Sequence, residues 1–139
     1  ATYDGWHSDM TRTVCVGKPS DKMKSVYETV LTAQLTALDA VKAGMSGKAL
    51  DKIARDIIIE AGYGDNFGHS LGHGVGVEIH ESPYASPSRE DILPENSIVT
   101  VEPGIYLEGK FGVRIEDFVV VTENGCINMT KAPKELICL

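Results

Sequence analysis

The spacing of hydrophobic positions changes along the chain, and the changes mark its elements. Between Ser20 and Gly44, Met23, Val26, Tyr27, Val30, Leu31, Leu35, Leu38 and Val41 recur at helical spacing, which predicts one long amphipathic helix. Ser20 suits the N-cap with Asp21 in the first turn, and Gly44 offers a left-handed stop. A second helix is expected from about Ser46, with Leu50, Ile53, Ala54, Ile57, Ile58 and Ala61 on its apolar face and Gly62 ending it. Both helices read as scaffold, without assigned chemistry.

On either side of the helices the period drops to two. Residues 1–16 read as a strand hairpin turning at Asp4-Gly5, with Asp9, Thr11 and Thr13 on one face and Met10, Arg12 and Val14 on the other. After the helices come a short strand at 75–79, a Pro- and Ser-rich loop at 82–96, and strands at 97–101 and 113–122. Turns are expected at 109–112 and at Glu123-Asn124-Gly125. Strand pair, two helices, then mostly antiparallel strands predict an α+β domain over 1–139, with a curved antiparallel sheet and helices on one face.

Composition narrows the function. The 139 residues are 42% hydrophobic, enough for one globular core, and the formal charge of −7 argues against a nucleic-acid partner. No long apolar run suggests a membrane partner. Cys15, Cys126 and Cys138 are odd in number and form no CxxC pair, which fits reduced thiols and a cytoplasmic protein.

Candidate chemistry concentrates in FGHSLGHGVGVEIHE, residues 67–81, where His69, His73 and His80 lie among Gly68, Gly72, Gly74 and Gly76. That much glycine disfavours a helix and lets imidazoles converge from an irregular backbone. Glu102 and Glu116 sit inside apolar strands, in VTVEPG and VRIEDFVVV, and a buried carboxylate needs a cation. Arg114 could supply it as an ion pair, or a metal could. Asp9 is disfavoured within a strand and is either an exposed edge residue or a ligand. Taken together, Asp9, His73, Glu102 and Glu116 form an oxygen-rich set suited to Mn²⁺, Co²⁺ or a loosely held Zn²⁺ pair. Paired divalent ions in such a set suit amide hydrolysis.

SDMTRT (8–13), GHSLGHGVG (68–76), VEIHE (77–81), TVEPGIY (100–106) and GVRIEDFVVVT (112–122) resemble the pita-bread metallopeptidases, which include methionine aminopeptidase, Xaa-Pro aminopeptidase and prolidase. The resemblance runs in order from residue 1 to about 122 and is nearest the bacterial Xaa-Pro dipeptidases and smaller aminopeptidases. It implies the pita-bread fold, two divalent ions (Mn²⁺ first), a proline-containing peptide substrate and a homodimeric parent. By resemblance Asp9 and Glu116 bridge the ions, and His73 and Glu102 hold one of them. Glu102 also shuttles a proton, His69 contacts substrate, His80 hydrogen-bonds the scissile amide, and Arg114 holds a carboxylate. Tyr106 is a further candidate for the pocket, and His7 is assigned to the surface.

The family's first aspartate lies about eleven positions before the second, which from Asp9 falls ahead of Ala1; Asp4 has the wrong spacing to replace it. The chain is therefore expected to be the C-terminal portion of a catalytic domain, binding metal weakly and hydrolysing little alone. Two alternatives remain at this point: a metal-free, creatinase-like relative, and a non-catalytic binding module of the same fold.

Overall fold

The computed structural model describes residues 1–139. Its elements are β1 (Thr2–Tyr3), β2 (Trp6–His7), β3 (Val14–Cys15), α1 (Asp21–Ala40), α2 (Gly47–Glu60), β4 (Gly72–Gly74), β5 (Glu81–Ala85), β6 (Ile98–Val101), β7 (Gly104–Leu107), β8 (Phe111–Arg114), β9 (Asp117–Thr122), β10 (Gly125–Asn128) and β11 (Ile137–Cys138). Both helices begin where the caps predict. The Ser20 hydroxyl accepts from the Met23 amide at 3.2 Å and Ser46 from the Ala49 amide at 3.4 Å. The first helix stops at Ala40 rather than running to Gly44, with the Val41 amide donating to Leu38.

A five-stranded sheet of order β10-β9-β6-β4-β5 is antiparallel throughout. The ribbons β1-β2 and β7-β8 and the parallel pair β3-β11 form separate two-stranded sheets. Val26, Val30, Ala37, Leu50, Ala54 and Ile58 of the helices share one buried cluster with Val99, Val101, Val119 and Val121 of the sheet. Strand alternation then sends Thr100 and Glu102 to the opposite face, and separates Glu116 from Asp117 in the same way. No helix is long and apolar enough to cross a membrane.

Four strand expectations need correction. The predicted strand at 75–79 is irregular, and the pairing belongs to Gly72–Gly74. Gly72 lies so close to the Thr100 carbonyl that a Cβ there would collide with it, so this register requires glycine. Residues 81–85, expected in a loop, form β5. As an edge strand β5 tolerates Pro83, whose missing N–H no ladder needs. The predicted strand at 113–122 breaks at Ile115-Glu116, because the Glu116 amide leaves the sheet for the Thr11 carbonyl at 3.0 Å. That bridge is also the one ladder contact in residues 8–13, which form no continuous strand. The Asp4-Gly5 turn is as predicted, with both residues at positive φ and Asp4 exposed at the tip.

Candidate metal centre

His73 enters the site from β4. Its amide donates to Thr100 Oγ1 at 3.0 Å, and its Nδ1 lies 3.0 Å from the Gly74 carbonyl. A carbonyl only accepts, so Nδ1 carries a proton and Nε2 is the atom presented to the site. Glu102 follows β6, with its amide on the Leu71 carbonyl at 2.8 Å and Oε1 accepting from Thr100 at 3.0 Å. One threonine therefore orients both residues. Thr11 does the same across the site: its hydroxyl donates to Glu116 Oε2 at 2.5 Å and accepts from Arg114 Nε at 3.0 Å.

These supports bring all four ligand candidates together. Single ligand atoms of Asp9, His73 and Glu116 lie within 4.8 Å of one another. His73 Nε2 is 3.0 Å from Glu102 Oε1 and 3.8 Å from Asp9 Oδ2. Burial alone would lower the His73 pKa, but hydrogen bonds to Glu102 and Gly74 and the charges of Glu102 and Asp9 raise it. Burial likewise would raise the Glu102 carboxyl, and the His73 contact and Thr100 hold it below its ordinary value. Glu116 moves the other way: burial, then the Glu102 charge, push it up to about 7 against the Thr11 hydrogen bond.

The set fits divalent cations. Glu116 Oε1 is buried with no hydrogen-bond partner. The raised pKa values of His73 and Glu116 both favour the protonated form, as expected where crowded carboxylates would otherwise be balanced by a cation. Metal uptake then competes with the Glu116 proton. The carboxyl binds that proton up to about 7, so its ionised form weakens the metal-free fold above that pH, and the cost fades as pH falls toward the ordinary value of 4.5. Metal affinity is expected to rise with pH through about 7, where Glu116 gives up its proton, as calorimetric titrations across that range would read.

Arg114 does not ion-pair with Glu116. Its Nε is 4.0 Å from Glu102 Oε2, and the chain's ion pairs within that limit include none between Arg114 and Glu116. The arginine alternative is thus met only at Glu102, and the buried Glu116 oxygen has no cation beside it. His69, Ser70, Gly72, His73, His80, Tyr84, Glu102 and Arg114 line a cleft of about 420 Å³. His80 is exposed at its rim, its ring edge-on to His73 at 4.3 Å between centroids. His69 donates from Nδ1 to the Ser70 carbonyl at 2.8 Å, which leaves Nε2 to accept from the Tyr106 hydroxyl at 2.8 Å. Tyr106 thus reaches the site. His7 is half-buried rather than on the surface, with Nδ1 unpartnered.

Two buried aspartates, Asp51 and Asp117, anchor supporting ion pairs that leave no mark in the residue pattern. Asp51 and Arg55 of α2 grip the histidine segment, and Asp117, wholly buried, is held by Arg12 at 2.6 Å and Lys134 at 2.7 Å. An i,i+4 acid-base pair on a helix resembles a solvated face pair, and only the burial of Asp51 distinguishes it.

Residues 1–123 match the model of Metallopeptidase family M24. The chain is 54% identical over 137 residues to the Xaa-Pro dipeptidase of Pyrococcus furiosus, covering 99% of this chain and 39% of that protein. A solved Xaa-Pro dipeptidase from Bacillus anthracis superimposes with a TM-score of 0.96 at 52% identity, over 99% of this chain and 39% of its own. An X-Pro aminopeptidase structure from Thermotoga maritima gives 0.96 at 53% identity, over 100% and 39%. The chain thus spans 39% of the length of these relatives.

Proposed function

The chain belongs to metallopeptidase family M24, with its pita-bread fold, and on that premise we propose that it forms the C-terminal portion of the catalytic domain of a dimetal Xaa-Pro peptidase. The observation that carries this reading is the convergence of Asp9, His73 and Glu116, with Glu102 on His73, beside a cleft lined by three histidines and an arginine. Asp9, His73, Glu102 and Glu116 would hold two divalent ions, Mn²⁺ by preference for an oxygen-rich set. Such ions supply Lewis-acid chemistry that eases attack of water on an amide carbonyl.

The protein's own residues would do the rest. Glu102 takes a proton from the attacking water and delivers it to the departing proline nitrogen, which as a tertiary amide carries no hydrogen of its own. His80, at the cleft rim, donates to the oxygen on which charge develops. Arg114 receives a carboxylate, and His69, held by Tyr106, contacts the substrate beside it. The same proposal makes the working protein a homodimer in the cytoplasm, where Cys15, Cys126 and Cys138 stay reduced. The chain alone would bind metal weakly and turn over little.

The test is hydrolysis of Ala-Pro, Ala-Pro-peptides and Ala-Ala by the Mn²⁺-loaded protein at the length of its relatives. Cleavage confined to Xaa-Pro bonds is expected, and the dipeptide-to-peptide ratio separates dipeptidase from aminopeptidase. Equal cleavage of Ala-Ala, or none of any substrate, would overturn the reading.

A further inference from the structure

We infer that Asp51 and Arg55 of α2 are a positioning pair for His69 on the substrate side of the cleft, whereas the ligand candidate His73 is held by the sheet. That His69 faces substrate rests on the function proposed above; the geometry of the pair does not.

Residues 67–71 belong to no helix or strand, so their backbone polar groups need partners from elsewhere. Arg55 donates from Nη1 to the Phe67 carbonyl at 2.9 Å and from Nη2 to the His69 carbonyl at 2.7 Å. Asp51 Oδ1 accepts from the Leu71 amide at 2.9 Å. Three alternate residues are thus pinned to one helix. The pair is itself locked as a fork, Nε on Oδ2 at 2.7 Å and Nη2 on Oδ1 at 3.0 Å, with the Asp51 side chain 1% exposed. The guanidinium also lies 4.2 Å from the centre of the Phe67 ring, which meets the His69 ring edge-on at 5.0 Å. Arg55, Phe67 and His69 therefore form a continuous stack that ends at the Tyr106 hydroxyl.

Support changes hands after Leu71. From Gly72 the chain enters the sheet, and His73 is held by Thr100 and by strand pairing instead. Two histidines four residues apart are thus fixed by different parts of the fold, the nearer one by a helix and the farther one by the sheet. Loosening the helix pair should release His69 and leave His73 in place.

Two variants test this in the 139-residue chain. Arg55→Lys keeps a charge beside Asp51 but cannot fork to both carbonyls. The double change Asp51→Leu with Arg55→Met replaces the buried pair by apolar side chains and so leaves no unpaired buried charge. Nitrogen-15 spectra of the imidazoles report the His69 tautomer, and Zn²⁺ titration reports the ligand set. In both variants the His69 ring is expected to move toward the mixed tautomers of free imidazole. Zn²⁺ affinity should escape the roughly 10–100-fold loss that follows removal of a group orienting a metal ligand. In the protein at its relatives' length, KM for Xaa-Pro substrates should rise about tenfold, as for a lost hydrogen bond to a charged group, with rescue in neither variant.

An unchanged His69 signal in folded variants would overturn the inference. So would a Zn²⁺ affinity that collapses with that signal, which would make the pair a support for the whole domain. A His69 ring that moves, in a protein that cleaves no Xaa-Pro bond, would sink the proposed function and uphold the positioning.

Discussion

Exchanging Glu102 for glutamine, in the protein at the length of its relatives and at saturating Mn²⁺, is expected to cut turnover of Xaa-Pro substrates about 10³-fold with little change in KM. The side chain keeps its size and one carbonyl oxygen for the cation. What it loses is the ability to take a proton. Glu102 is suited to that transfer because Thr100 fixes its orientation, with Oε1 accepting from the threonine hydroxyl at 3.0 Å. The carboxyl sits below its ordinary pKa, so it is ionised and ready to accept at neutral pH. Steady-state kinetics at matched metal content would check this, and a variant with near-parent turnover would remove Glu102 from the proton path.

The largest stability effect is expected at Asp117. Its side chain is fully buried and receives Arg12 at 2.6 Å, Lys134 at 2.7 Å and Asn128 at 2.6 Å. Asp117→Ala leaves two cations facing each other without a counter-charge and should cost about 3–5 kcal/mol. Arg12 also donates to the Glu116 and Thr11 carbonyls at 2.7 and 2.8 Å, so the damage should reach the metal ligands. Burial alone would raise the Asp117 carboxyl, yet its hydrogen bonds to Lys134, Arg12 and Asn128 hold it below the usual range. The stabilisation is therefore present above the ordinary aspartate pKa of 3.8 and is lost as pH falls through the depressed value. Urea unfolding of parent and variant would measure it, and coincident midpoints would refute the claim.

Much of this arrangement was legible in the residues. The caps at Ser20 and Ser46 and the period of the two helices set the scaffold, because a buried stripe and a free hydroxyl leave plain marks. Glu102 and Glu116 stood out as carboxylates in apolar strands, and both point into the site. Other features could not be read. β5 was hidden by Pro83, which an edge strand accommodates and a central one does not. The strand before it was set by how closely Gly72 and Gly74 approach neighbouring backbone, a property of the partner strands rather than of the glycines. Asp51, Arg55 and Asp117 looked like ordinary charged residues, and their roles come from the backbone groups that tertiary packing brings to them.

In the proposed function Asp9, His73, Glu102 and Glu116 make one divalent-metal site. Calorimetric titration of Mn²⁺ into the folded chain and into Asp9→Ala and His73→Ala tests it most directly. Weak but saturable uptake by the parent, lost in both variants, is the predicted result. A folded parent that takes up no Mn²⁺, or variants that bind it as the parent does, would contradict the account.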